Sequence, residues 1–187
     1  GVGIDEVTPE LRRRVKAMSY GLAYGLSAFG LAQQLDIPQR EAKKLMEDYF
    51  ERFGGVRDYL HKVVEQARKD GFTATMFDRR RYLPELNADN RIARDNAERA
   101  ALNSPIQGSA ADIIKIAMLR VDDALRRDEL RSRVLLQVHD ELVVEVADGE
   151  EEAIKELLHR EMDSAAELLV PLDVSIGAGV NWDTAAH

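Results

Sequence analysis

Apolar residues recur every three to four positions through most of residues 8–69, then fall into short β-branched runs after residue 130. The pattern predicts a helical first part and a mixed second part. Thr8-Pro9-Glu10 reads as a helix start, with Thr as cap and Pro in the first turn. That helix is expected to reach about residue 23, with Leu11, Val15, Met18 and Leu22 as its core-facing stripe. Gly21 and Gly25 are poor helix formers, each costing about 1 kcal/mol against alanine, and they allow a ligand or a backbone to come close. A short helix is expected over 27–35. Pro38 opens the next, with Ala42, Leu45, Met46, Tyr49 and Phe50 at helical spacing and Gly54-Gly55 as its end. Another spans about 56–69.

Residues 72–76 and 81–83 predict a short hairpin with basic residues at its turn. A long helix is expected over 90–127, interrupted by Pro105. Residues 133–138 and 142–146 are strands flanking His139-Asp140-Glu141, residues 150–169 an amphipathic helix, and residues 174–180 a last strand, with Trp182 anchoring the tail. The fold class is therefore α+β: a helical part over 1–88, then long helices packed on a small antiparallel sheet over 89–187. No linker-like stretch marks the division near 85–92.

Composition narrows the class. The chain has 187 residues, 45% of them hydrophobic, which suffices for one sizeable core or two small ones. There is no cysteine, so disulfides and thiolate metal sites are excluded and a reducing cytoplasm fits. No apolar run approaches the roughly 18 residues of a membrane span. The net charge of −8 argues weakly against a nucleic-acid binder. Its distribution matters more: residues 1–90 carry 15 basic and 14 acidic side chains, residues 91–187 carry 11 and 20. The late acids, among them Glu150, Glu151, Glu152, Glu156, Glu161 and Asp163, read as the wet face of a helix. The basic clusters, residues 12–16 and 79–81, are local, and an acidic protein can still present a basic groove.

Three constellations carry candidate chemistry. Arg12, Lys16, Tyr20 and Tyr24 step by four, which puts two cations and two rings on one helix face. Cations hold phosphates and a ring stacks on a base; a solvated basic face has the same spacing. Arg99, Asn103 and Gln107 also step by four, and all three donate hydrogen bonds. Every base pair, in either order, offers purine N3 and pyrimidine O2 acceptors in the minor groove, so such a row can test pair shape without reading sequence. A plain polar helix face fits equally well. Finally, His139-Asp140-Glu141 interrupts an apolar hairpin. Carboxylates fixed at a tight turn suit Mg²⁺, which wants hard oxygen donors and few protein bonds, although Asp is common in ordinary turns.

In this order the motifs are jointly specific. Arg12-x-x-x-Lys16-x-x-x-Tyr20-Gly21-x-x-Tyr24-Gly25, Arg80-Arg81-Tyr82-Leu83-Pro84, the stretch from Asn103-Ser104-Pro105 through Gln107-Gly108-Ser109 to Asp112, and Val138-His139-Asp140-Glu141 resemble the C-terminal part of the bacterial DNA polymerase I family (family A). The resemblance spans essentially the whole chain, and Asn181 through His187 resembles the natural ending of such enzymes. It implies a fingers subdomain over 1–88 and the C-terminal part of a palm over 89–187. Arg12 and Lys16 would grip the triphosphate of an incoming dNTP, with Lys16 also protonating the leaving pyrophosphate. Tyr20 would stack near sugar and base, and Tyr24 beside the templating position. Arg99, Asn103, Gln107, His139, Arg80 and Arg81 would contact primer–template DNA. Asp140 would be one of two catalytic aspartates and a ligand for two Mg²⁺ ions, with Glu141 beside it.

The resemblance also implies a cytoplasmic, nucleoid-associated bacterial enzyme with no membrane partner. The family's other catalytic aspartate lies in an upstream strand motif of the form DYSQIELR, which residues 1–187 lack. The chain is therefore expected to be a fragment that cannot polymerise without its N-terminal remainder. Losing a central strand would also expose a sheet edge and apolar surface. Two alternatives share parts of the pattern. A single-subunit RNA polymerase has a similar fingers helix, but Glu141 after His139-Asp140 and the Gln107-Gly108-Ser109-Ala110 segment look like the DNA enzymes. A non-catalytic nucleic-acid-binding module would keep the basic helix and have no need of Asp140.

Overall fold

Helix α1 (Pro9–Ala23) starts where the cap signal puts it, with Thr8 Oγ1 accepting the Leu11 N–H at 3.2 Å. It is followed by α2 (Ala28–Leu35), capped by Ser27, then α3 (Gln39–Arg52) and α4 (Gly54–Asp70), which ends on the left-handed Gly71. Strands β1 (Phe72–Ala74) and β2 (Arg80–Tyr82) form an antiparallel hairpin, with Phe72 opposite Tyr82. Helix α5 (Arg91–Arg127) leads to the antiparallel pair β3 (Arg133–Val138) and β4 (Glu141–Glu145), then α6 (Glu151–Asp163) and a terminal turn of helix, α7 (Trp182–Ala185). The computed structural model describes residues 3–185, so Ala186 and His187 of the expected C-terminal motif lie outside the described residues. No helix among the described residues is long and apolar enough to cross a membrane. The α+β class expected from the sequence is the class observed.

The chain forms two compact units, Gly1–Gly108 and Ser109–His187, and the division between these units falls inside α5. The reason is packing. Ala97 and Ala101 of α5 are buried with Ala67, Leu83 and Leu86, all of the first unit. A second small core there joins Leu31, Ala32 and Ala42 with Met18, Leu26 and Met46. The expected stripe on α1 is only half used: Leu22 is buried and Met18 packs on the small core, while Leu11 and Val15 are exposed. In the second unit, Ala117, Val121, Ala124 and Leu125 of α5 meet Ile154, Leu157, Leu158 and Met162 of α6, with Val134, Leu142 and Val144 of the sheet packed against them.

Three expectations are corrected. Helix α5 continues through Pro105 instead of breaking there. A mid-helix proline costs about 3 kcal/mol. Burial of Ala97 and Ala101 on one side and hydrogen bonds from the β1–β2 hairpin on the other outweigh it. Helix α6 stops at Asp163, not near 169: Ser164 Oγ turns back onto the Arg160 carbonyl at 2.6 Å, and Arg120 Nη1 takes the Ser164 carbonyl at 2.5 Å. Residues 174–180 form no strand. Leu172, Val174 and Ile176 do alternate inward onto the core, but β3 and β4 pair only with each other among the described residues.

Glu150 is no part of a wet helix face. Its side chain is only 14% exposed and accepts bonds from Ser132 Oγ at 2.6 Å, Ser132 N at 2.9 Å and Arg131 N at 3.0 Å, tying the start of α6 to the start of β3. The Ser132 hydroxyl and those backbone N–H groups push its carboxyl down to about 2 from an ordinary 4.5. A folded pKa below the unfolded one stabilises the fold fully above pH 4.5, and the benefit is lost as pH falls from 4.5 through about 2. Ser132→Ala removes the bond to Glu150 and the acceptor of the Ala147 N–H, and should cost about 1–3 kcal/mol at pH 7. Urea midpoints between pH 7 and 2 should show the Ser132→Ala deficit shrinking as Glu150 protonates.

Candidate nucleotide and nucleic-acid site

The face predicted on α1 exists as a ladder. Lys16 Nζ lies 5.8 Å from the centroid of the Tyr20 ring, and the Tyr20 and Tyr24 rings stack at 6.3 Å with 21° between their planes. Cation and rings attract each other here without any carboxylate. Glu10 pairs with Arg13 and Glu41 with Arg14, whereas neither Arg12 nor Lys16 pairs with a carboxylate among the described residues. Both cations are exposed, as is Tyr20. The α1 face thus combines two unneutralised charges with a flat apolar platform, a chemistry that suits a polyphosphate followed by a base.

Gly25 connects this face to α5. It sits at φ 73°, and a Cβ there would come within 3.0 Å of Leu102 and 3.8 Å of Arg99. The turn after Tyr24 therefore lies directly against the helix that bears Arg99, Asn103 and Gln107. None of those three side chains donates a hydrogen bond to the described residues, and Asn103 Oδ1 is buried without a partner. Arg99 and Gln107 are exposed, so their donors are open to external acceptors.

The hairpin closes the other end of the row. Arg79 Nη2 donates to the Gly108 carbonyl at 3.0 Å and Arg81 Nη1 to Ser104 Oγ at 3.1 Å, while Ser104 Oγ donates to the Ala100 carbonyl at 2.6 Å. Arg80 lies 4.5 Å over the Phe72 ring. Arg80 and Arg81 pair with no carboxylate among the described residues. These arginines, with Thr73, Ser104 and Gln107, line a cavity of about 210 Å³. Gly108 is required by contact: a Cβ there would stand 2.7 Å from Thr75 Cγ2. Arg79, Ser104 and Gly108 were not singled out individually from the sequence. The signal for them was Pro105, which weakens α5 where these hydrogen bonds reinforce it.

In the second unit, His139 and Asp140 form the two-residue turn between β3 and β4, closed by the Val138–Glu141 pair. Two-residue hairpin turns need positive φ, and His139 supplies it at 54°, a conformation costing a non-glycine residue about 1–3 kcal/mol. Gln137 Nε2 braces the turn by donating to the His139 carbonyl at 2.7 Å. Asp140 is exposed and has no cation partner among the described residues, while Glu141 accepts a bond from Trp182 Nε1 at 3.3 Å. Among the described residues no three His, Asp or Glu side chains converge as a metal site. This donor set fits Mg²⁺ as one or two carboxylate ligands for an ion that completes its shell with water and phosphate. It does not fit a pair of ions held by this chain alone.

The chain is similar to known proteins along its whole length. The model of DNA polymerase family A matches residues 1–184. DNA polymerase I of Mycobacterium tuberculosis (strain H37Rv) is 66% identical over 187 residues, which is all of this chain and 21% of that polymerase. DNA polymerase I of Caldicellulosiruptor bescii is 47% identical over 182 residues, 97% of this chain and 21% of that polymerase. The solved structure of the POL domain of Pol1 from M. smegmatis, in complex with DNA primer-template and dNTP, superposes with a TM-score of 0.97 at 67% identity, covering 100% of this chain and 33% of that one. The chain thus spans about a fifth of the length of these curated relatives, and it belongs to DNA polymerase family A.

Proposed function

We propose that this chain supplies the fingers (residues 1–88) and the C-terminal part of the palm (residues 89–187) of a DNA-directed DNA polymerase. The polymerase adds deoxynucleotides to a primer 3′-hydroxyl with release of pyrophosphate. The observation that carries the reading is the α1 ladder: two unpaired cations followed by stacked Tyr20 and Tyr24 on one face. The M. smegmatis relative, bound to primer-template and dNTP, supports the same ligands for this chain.

In this reading Arg12 and Lys16 neutralise and orient the triphosphate, and Lys16 donates a proton to the departing pyrophosphate. Tyr20 covers the sugar and base, and Tyr24 flanks the templating position. Arg99, Asn103 and Gln107 donate to minor-groove acceptors near the primer end, with Arg80 and Arg81 on the DNA backbone. His139 supports the primer terminus. Asp140, with Glu141 beside it, would hold Mg²⁺ together with a carboxylate from the N-terminal remainder of the polymerase. When bound, the two ions supply charge neutralisation for the attacking and leaving oxygens. Phosphoryl transfer depends mainly on positioning and charge, and the residues above provide both. With primer-template DNA as its partner, the proposal carries a cytoplasmic, nucleoid-associated location.

The test is primer extension by the assembled polymerase with deoxy- and dideoxynucleotides. The Tyr20 hydroxyl replaces a contact that the absent 3′-hydroxyl would have made. Tyr20→Phe should therefore raise selectivity against dideoxynucleotides by about tenfold or more. An unchanged ratio removes that contact, and no template-dependent extension at all removes the function.

A further inference from the structure

The second carboxylate of the β3–β4 turn is held from the far end of the chain. Trp182 Nε1 donates to Glu141 Oε2 at 3.3 Å across 41 residues of sequence. The tryptophan is not placed by loose tail. Asn181 Oδ1 accepts the Thr184 N–H at 2.9 Å, and Thr184 Oγ1 accepts the Asn181 N–H at 3.2 Å, a reciprocal cap that fixes the turn of helix bearing the indole. Upstream, Leu172, Val174 and Ile176 fasten the incoming segment to the core of the second unit. Asp140, one residue from Glu141, has no such partner among the described residues.

We infer that Trp182 is a positioning residue for the carboxylate pair: its indole N–H fixes Glu141 while Asp140 stays open to a divalent cation. The inference rests on the polymerase reading. A carboxylate that joins a metal site loses side-chain freedom, and that ordering weakens binding. A hydrogen bond to the carboxylate supplies the order in advance, as outer-shell partners of metal sites do. An indole suits the role because it only donates and brings no charge to the site.

The experiment uses the assembled polymerase and reads the bond and its consequence separately. In a ¹⁵N–¹H spectrum the Trp182 indole resonance is the one lost in Trp182→Phe. It should move upfield and exchange faster with water in Glu141→Ala, and stay in place in Glu145→Ala, where the lost carboxylate pairs with Arg133 instead. In primer extension, Trp182→Phe should raise the Mg²⁺ concentration for half-maximal rate on the order of 10-fold with the dNTP KM unchanged, and Trp182→His, which keeps a ring N–H, should recover part of it. An indole resonance indifferent to Glu141→Ala overturns the bond. A moved resonance with an unmoved Mg²⁺ requirement overturns the positioning role, because packing alone would lower stability without shifting the metal dependence. Absence of extension in the parent polymerase overturns the polymerase reading, and the indole spectrum still decides the bond.

Discussion

Asp140→Ala in the assembled polymerase is expected to lower the primer-extension rate by about 10³-fold or more while leaving the fold intact. The carboxylate is exposed in a turn held by the Val138–Glu141 pair and by Gln137 on the His139 carbonyl, so its removal leaves no cavity and no orphaned partner. Surface substitutions of that kind usually change stability by no more than about 0.5 kcal/mol. The rate behaves differently, because a metal ligand contributes several kcal/mol of charge stabilisation in the transition state, and each 1.4 kcal/mol is about tenfold. Thermal melts and extension kinetics on the same preparation separate the two effects. A variant within tenfold of the parent rate, with an unchanged melt, would remove Asp140 from the metal site. The cost of holding His139 at φ 54° makes sense on the same view, since the strained turn projects the next residue from a rigid sheet.

The isolated 187 residues should give no primer extension with Mg²⁺ at any concentration. Asp140 and Glu141 are the acidic pair at the turn, and no third donor joins them among the described residues. Stabilising both the attacking and the leaving oxygen takes more ligands than that. The surface of the second unit points the same way. Leu135 and Leu136 on β3 are exposed, as are Leu169, Val170 and Val180, as expected if the remainder of the polymerase covers them. A gel assay with the isolated chain against the assembled polymerase decides the matter. Robust extension by the isolated chain would mean that another carboxylate serves the metal.

Much of this was legible in the residue pattern because it depends on neighbours within a turn or two. Thr8, Pro9 and Ser27 set helix starts, and Gly71 a helix end, through local hydrogen bonds and allowed backbone angles. The four-residue steps of Lys16, Tyr20 and Tyr24 guaranteed a shared face, and their rings and charge do meet there. The strand expected over 174–180 does not form, although Val174 and Ile176 pack on the core, because a ladder needs a partner that the local pattern does not contain. Leu11 and Val15 have stripe spacing but remain exposed, since spacing defines a face and not what covers it.

The sequence by itself determined the element order, the chemistry on the α1 face and the acidic turn at Asp140, since each arises from interactions between residues close along the chain. Tertiary structure alone decided that α5 survives Pro105, that the turn after Tyr24 abuts Arg99, that Glu150 clamps the start of β3, and that Trp182 reaches Glu141. Those outcomes rest on contacts between segments tens of residues apart, whose energies exceed local propensity and leave no periodic trace in the chain.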